Sequence, residues 1–563
     1  MTTTSKVSNS KLSEKATSLY HWIVSLNYRN FSVISLLLFA ILAFLLYGQT
    51  ITYNYTYMDD HAIVQRQMKN LSKIDAIPKA FTEDVFHKTA RVFYYRPMLT
   101  ISLAIDAMVG GGKLPWFHII NILLHVLVTW TLLLFLIEMD YERMKSFLFS
   151  LIFLVHPVVT QAVAWIPGRN DSLLALFLFP SFLFLIRYLK SQKIIHYILH
   201  FAFYILALFT KETAIAIPMI ATLYLLVIHK KYNRNLIFLV GGWILLSVSW
   251  LWIRHLVQGG LNEFSFTDSI SSIFHNLGAL VPYIGKSIFP IGLSVFPFMK
   301  DMNVAIIAGI IAFIILAILL LITRKKRWGY LLFAISWFLL FLIPSFIRGT
   351  EQEPDFMEHR VYISMAGLII LFLETGIIRN SGWYRKSFLI PVILVMLTFG
   401  VLTFSHSKDY KNRIVFWQSA VETSPSHALS FNNLGVMYFM DNNRVEAEKN
   451  FRKALEVNPK EKMSNFNIGI ICAETGRPEE AEKFYLREIE INPTYSNTYF
   501  NLGVLYATNN HLEIAIKAWE KLLTINPYYT DCYYKLAEAY QSLNRPADVN
   551  RINALAKRNG ITR

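Results

Sequence analysis

Asp59 and Asp60 stand side by side just past the first long apolar run of the chain, Phe31 to Tyr47. Two adjacent carboxylates that close to a membrane surface are costly unless water or a charged ligand meets them. A carboxylate so placed can take the proton from a hydroxyl that is about to react. The same residue type also caps helices and tolerates a wet boundary, so a helix N-cap is the competing reading.

Other polar residues that could do chemistry recur in short strings between apolar runs. Arg96-Pro97 follows Phe93, Tyr94 and Tyr95. His118 follows Trp116-Phe117, and Asn121 and His125 come after it at helical spacing, so the three share a helix face. Such groups can bond substrate or simply bond neighbouring helices. A longer string runs His156-Pro157, Gln161, Trp165-Ile166-Pro167-Gly168-Arg169-Asn170-Asp171. Here Asp171 suits a helix cap and Arg169 suits a phosphate, because a planar guanidinium binds phosphate in two-pronged fashion. Lys211-Glu212 is wedged between two apolar runs, either as a surface ion pair worth little or facing an anionic headgroup. Glu358-His359-Arg360-Val361-Tyr362 opens another run, and an arginine entering a membrane calls for a partner. Carboxylates with several cations suit a lipid-phosphate leaving group: the cations hold the phosphate and a carboxylate deprotonates an acceptor hydroxyl.

The elements that must position these residues are membrane spans. The chain of 563 residues is 54% hydrophobic and 16% charged, against about 25% charged in soluble domains. Runs of spanning length fall at 31–49, 116–138, 146–166, 172–189, 194–210, 213–230, 236–256, 304–322, 328–347, 360–378 and 387–405, about eleven in all. Basic residues cluster in the N-terminal segment and at Arg143–Lys145, Arg187–Lys193, Lys230–Arg234, Arg324–Arg327 and Arg379–Lys386. If all of these are cytoplasmic, the spans alternate, provided that 270–297, broken by Pro282, Gly285, Pro290, Gly292 and Pro297, does not cross. The loops left on the opposite face, 50–115, 156–171, 210–213, 255–303 and 348–359, carry the polar strings above. The net charge of +16 sits almost wholly before Arg413, with 36 Lys and Arg against 21 Asp and Glu. That pattern fits contact with anionic lipid and excludes a nucleic-acid patch as its explanation. Two cysteines, Cys472 and Cys532, give neither a disulfide framework nor a zinc spacing.

After the last span the pattern changes. Pro425, Pro459, Pro493 and Pro527 recur every 34 residues, in phase with Gly435, Gly469, Gly503 and Ala537. That period is the tetratricopeptide repeat, a pair of antiparallel helices whose stack offers a concave groove. Three full repeats and a fourth, partly capping one from Tyr528 are expected. Asn432, Asn467 and Asn501 recur on the first helices, where they either bond an acceptor peptide backbone or cap and solvate. The expected fold is all-α: a polar cytoplasmic segment over 1–30, a polytopic membrane domain over 31–405, a linker and partial repeat over 406–424, and a repeat solenoid over 425–563.

The strings Arg96-Pro97-Met98, His156-Pro157 through Asp171, Lys211-Glu212-Thr213 and Glu358 through Tyr362 resemble those of the transmembrane and tetratricopeptide-repeat protein O-mannosyltransferases, with their C-type glycosyltransferase fold. Two departures are Gln161, where the family typically has Glu, and Ile363-Ser364-Met365 after Tyr362, where a Leu-Pro-Ser-like string is usual. The resemblance implies a polyprenyl-phosphate-linked sugar donor, mannose in the animal members, and transfer to Ser or Thr of a protein. It makes Asp59 the expected base, with Asp60 supporting it or binding a divalent metal such as Mg or Mn. A metal is not required if cations hold the phosphate. Arg96, His118, His156, Arg169, Asp171, Lys211, Glu212, Glu358 and Arg360 are the expected donor-binding residues. The implied setting is a bacterial inner membrane with the site facing the periplasm, or the endoplasmic reticulum membrane facing the lumen. Two alternatives remain at this point: a transferase or ligase for a surface glycan or lipid, and a non-catalytic scaffold acting through its repeats.

Overall fold

The computed structural model describes residues 25–86, 94–230, 235–258, 266–347, 356–561. Most of the polar N-terminal segment, Phe93, and the basic residues Lys231 and Arg234 lie outside the described residues. Every regular element among the described residues is a helix. The chain divides into two compact units, Met1–Ser419 and Ala420–Arg563, and the division falls inside the helix Arg413–Thr423.

Among the described residues of the first unit eight helices are long and apolar enough to span: Tyr28–Thr52, Leu114–Glu138, Ile166–Ser191, Glu212–His229, Leu236–Gln258, Asn303–Ile322, Trp328–Phe346 and Lys386–Tyr410. The expected span 146–166 is a broken one, Arg143–Val155 and Pro157–Ala164, bent by 56° at His156. The cause is Pro157, which has no N–H to continue the ladder. The expected spans 194–210 and 360–378 are the shorter apolar helices Ile194–Leu208 and Met365–Glu374. A further short helix, Pro97–Val109, starts on its proline and was not among the expected spans.

Ion pairs gather the span ends into two collars. At one end Arg187 pairs with Glu138 at 3.0 Å and Lys190 with Asp140 at 2.9 Å. There Lys145 donates to the Arg379 carbonyl, and Arg143 to that of Leu26. Arg327 and Arg379 both pair with the fully buried Glu374, and Arg379 also donates to the carbonyls of Arg324 and Lys325. Five of the six basic segments therefore meet at one end of the bundle. The polar strings meet at the other: Arg96 with Glu212, Lys211 with Asp171, His359 with Gln161, and Lys286 with Glu358.

The Pro- and Gly-rich segment over 270–297 starts and finishes at that second end. Ser272 and Asn276 donate to the Phe346 carbonyl, and Lys286 reaches Glu358. Between these points the helix Leu280–Ile288 lies directly on Asn303–Ile322. A Cβ on Gly309 would come within 2.0 Å of the Val281 carbonyl oxygen. Small residues let helix backbones approach this closely in a bilayer, where dispersion replaces the hydrophobic drive. Gly309→Val is expected to force the two helices apart. It should lower the thermal stability of detergent-purified protein by about 1–3 kcal/mol, the usual cost of overpacking, read as a lower unfolding midpoint.

The second unit contains helical pairs Ala428–Met440 with Arg444–Val457, Ser464–Glu474 with Pro478–Ile491, Ser496–Thr508 with Leu512–Ile525, and Thr530–Ser542 with Pro546–Arg558. The fourth pair, expected from Tyr528, has both of its helices. The in-phase small positions are filled from the partner helix: Phe451 covers Gly435, Tyr485 covers Gly469 and Trp519 covers Gly503.

Candidate active site

The loop carrying the acidic pair is pinned at both ends. Gln49 donates to the Phe404 carbonyl at 2.8 Å and to Ser407 at 2.6 Å, and Asn54 N–H donates to the Lys411 carbonyl at 2.9 Å. Asp60 then folds the loop on itself. Its carboxylate accepts from Thr56 N–H at 2.6 Å, Thr56 Oγ1 at 2.9 Å and Tyr57 N–H at 2.9 Å. These bonds hold Tyr57 in a left-handed conformation, φ 61°, which side-chain-bearing residues rarely adopt. The Tyr57 ring stacks on His61 at 5.1 Å, and the Arg413 guanidinium lies 5.0 Å from its centre.

Asp60, 1% exposed, is thus committed to building the loop. Asp59 is displayed by it. Asp59 is half-buried, and its carboxylate accepts no hydrogen bond from any described residue. Burial pushes its pKa up to about 6, against the opposing pull of the nearby Arg96 charge. Asp60 is pushed up to about 6 as well, by burial, although its three hydrogen bonds favour the charged form. A carboxyl group near 6 without a structural partner is suited to general-base work at neutral pH. His61 received no role in the sequence reading. It sits under Tyr57 with its Nδ1 buried and unbonded, and burial, with Arg66, holds its pKa below the usual range.

Arg96 is the cation beside Asp59. It pairs with both oxygens of Glu212, at 3.3 and 3.1 Å, and lies 4.3 Å from the Tyr94 ring centre. With the Asn170 amide turned to suit its neighbours, the amide oxygen also accepts from Arg96 at 3.1 Å. Burial opposes its charge, but Glu212 outweighs burial and holds the pKa above the usual value. Next to it Lys211 pairs with Asp171 at 2.7 Å. Lys211 and Glu212 therefore do not pair with each other: consecutive side chains diverge, and each finds a partner on another element. Asp171 spends its charge on Lys211 and makes no cap bond at its own helix.

Most of the remaining expected donor-binding residues make contacts within the fold. Arg169 is wholly enclosed: Nε donates to Asn121 at 2.7 Å, NH1 to Ser102 at 3.0 Å, NH2 to the Phe117 carbonyl at 2.7 Å, and Asp106 lies at 2.5 Å. Asn121 passes the tie on to the carbonyls of Val163 and Trp165. A Cβ on Gly168 would come within 2.3 Å of the Gln161 carbonyl oxygen, so only glycine closes that turn. His156, 1% exposed, bonds Val158 N–H and the Ser287 carbonyl. His118, 2% exposed, meets the Tyr53 ring edge-on at 6.4 Å. His125 bonds the Tyr362 hydroxyl at 2.7 Å. Glu358, fully buried, takes Lys286 at 2.8 Å, Ser294 N–H at 2.8 Å and His406 at 3.2 Å. Burial pushes Glu358 up, but the charges of Lys286 and His406 outweigh it and leave the carboxyl below its usual range. Arg360 is partly exposed in the same turn.

For a metal, the residues present fit poorly at the acidic pair, because both oxygens of Asp60 already accept hydrogen bonds. The described ligand-type cluster is elsewhere, at Glu448, Cys472 and Glu480 in the repeats. There Arg452 and Arg477 occupy the carboxylates at 2.5–2.9 Å. Of the three asparagines expected to meet an acceptor, Asn432 is buried and accepts from Ser464 and Asn467, each at 3.1 Å. Asn501 donates to the Asn497 carbonyl. A cavity of about 240 Å³ lies instead along Val504, Ala507, Trp519, Lys535 and Glu538.

Tetratricopeptide-repeat family profiles match residues 427–458, 464–495 and 484–517. The protein O-mannosyl-transferase Tmtc1 of Drosophila melanogaster is 28% identical over 31% of this chain and 20% of its own length. Human protein O-mannosyl-transferase TMTC3 is 21% identical over 69% of this chain and 46% of its own length. The chain thus matches between a fifth and about half of the length of these relatives. Among solved structures, MamA aligns with 27% of this chain and 83% of its own, at 19% identity and TM-score 0.25. With its apolar helices, its repeats and these relatives, the chain is an integral membrane protein and a distant relative of the transmembrane and tetratricopeptide-repeat protein O-mannosyl-transferases.

Proposed function

We propose that this protein is a glycosyltransferase that moves a mannose-like hexose from a polyprenyl-phosphate donor to a Ser or Thr hydroxyl of a protein. The observation that carries this reading is Asp59, a carboxylate beside Arg96 that is raised by burial to about 6 and takes no hydrogen bond from any described residue. The names of the relatives supply the reaction class.

In this reading Asp60 shapes the loop and Asp59 takes the proton from the acceptor hydroxyl as oxygen attacks the anomeric carbon. The bond from that carbon to the phosphate oxygen breaks, and the polyprenyl phosphate leaves with the bonding pair. Arg96 and Lys211, each paired with a carboxylate on another element, fix the loops around Asp59. The repeats present the acceptor protein, and the site faces away from the cytoplasm, as the two collars and the rule of cytoplasmic basic loops together support. The test is transfer from polyprenyl-phosphate-mannose to a Ser/Thr-rich peptide by purified full-length protein, followed as a hexose mass increment. No increment, with folded protein and intact donor, overturns the assignment. The pH profile is a second reading. Below about 6 Asp59 is protonated and cannot act as base. The rate should therefore rise about tenfold per pH unit on the acid side and level off above 6.

A further inference from the structure

The donor-phosphate residues expected from sequence include three arginines, Arg96, Arg169 and Arg360, and the structure spends the first two on carboxylates. A further guanidinium, Arg254, is differently placed. It lies near the end of the span Leu236–Gln258, one helical turn after Trp250 and on the same face. Arg254 forms no ion pair or hydrogen bond with any described residue, and its Nε is buried and unbonded. Its guanidinium lies 5.5 Å from the Trp250 ring centre. Trp250 is itself only 2% exposed, and its indole Nε1 is also buried and unbonded. Two buried donors one turn apart, with no acceptor among the described residues, call for an oxygen ligand.

We propose that Trp250 and Arg254 form the notch that holds the phosphate of the polyprenyl-phosphate donor. The proposal rests on the lipid-phosphate reading above and names the subsite within it. The position is right electrostatically: the Arg254 charge acts on Glu212, the residue that holds Arg96 beside Asp59. The position is also right for a lipid. Leu245, Val248, Leu251, Trp252 and Leu256 of the same helix are 44–66% exposed, an apolar face along which a prenyl chain can lie. Trp252, 63% exposed, sits within half a turn of Arg254, as interfacial tryptophans do at headgroup depth. A snorkelling arginine would instead carry its Nε out to water.

Binding of undecaprenyl phosphate and of undecaprenol to the purified full chain tests this. Wild-type protein should prefer the phosphate. Arg254→Gln should weaken phosphate binding at least tenfold and leave alcohol binding unchanged, as expected for loss of a charge-assisted bond. Arg254→Lys should restore part of the preference, and Trp250→Phe should cost about threefold, from the lost N–H alone. An unfolding midpoint for each variant separates binding from folding; if Arg254→Gln does not fold, the Trp250→Phe result decides. Undiminished phosphate preference in the folded variants overturns the notch and leaves the donor reading standing. Absence of any preference in the wild type overturns the donor reading, and the notch with it.

Discussion

Asp59→Asn is expected to reduce transfer about a thousandfold, within the range set by loss of a general base, while insertion, fold and donor binding persist. The geometry makes this substitution unusually clean. The Asp59 carboxylate accepts no hydrogen bond from any described residue, so the amide breaks none of those contacts, and the loop is shaped by Asp60. Stability should move in the opposite direction from activity. The folded pKa of Asp59 is raised to about 6 from an ordinary 3.8. A raised carboxyl contributes stability that is fully present below the unfolded pKa and lost as pH rises through the folded one. At pH 7.5 the wild-type protein thus carries a buried charge that asparagine removes, and the variant should unfold at a higher temperature. At pH 4 the two should converge. Asp60→Ala is the contrasting variant, because it strips three donors of their acceptor and should lower both activity and unfolding temperature. Equal rates for Asp59→Asn and wild type would remove Asp59 from the chemistry.

Much of this arrangement is legible in the chain before any coordinates. Spans are readable because a bilayer forces each to be a long apolar helix with its backbone bonds internal. The basic segments read as one end because lysines and arginines sort together, and in the structure Arg379 donates to the Lys325 carbonyl while its own carbonyl accepts from Lys145. The repeats are readable because a period of 34 keeps Gly435, Gly469 and Gly503 under partner aromatics. Partners across the fold are not readable. Arg169 looks like a phosphate ligand by type and neighbourhood, and only the position of Asp106, on a different helix, shows that it is sealed. Asp59 and Asp60 are equivalent in sequence; the turn of the loop separates them. Arg254 is not legible in the sequence, because an arginine inside an apolar run reads as a span end. Its distinguishing signal is the tryptophan four residues before it, which has meaning only once Trp250 is known to be buried.

Arg169→Met alone should destabilise the membrane unit by about 3–5 kcal/mol, the cost of leaving one member of a buried ion pair without the other. Asp106 would keep its charge at 4% exposure with no cation at hand. The Asn121 amide would lose its donor, loosening its grip on the Val163 and Trp165 carbonyls. Asp106→Leu should cost a similar amount by stranding the guanidinium. The double variant should recover more than half of either loss, because two apolar side chains avoid the desolvation that the ion pair must overcome. Recovery will be incomplete, since Ser102, Asn121 and the Phe117 carbonyl still lose their partner. Unfolding midpoints of detergent-purified protein measure all three. The folded double variant also decides what Arg169 is for. If it anchors helices, undecaprenyl phosphate should bind within about threefold of wild type. A folded double variant that binds the phosphate no better than the alcohol would make Arg169 a ligand of the donor, exposed by a rearrangement of the bundle.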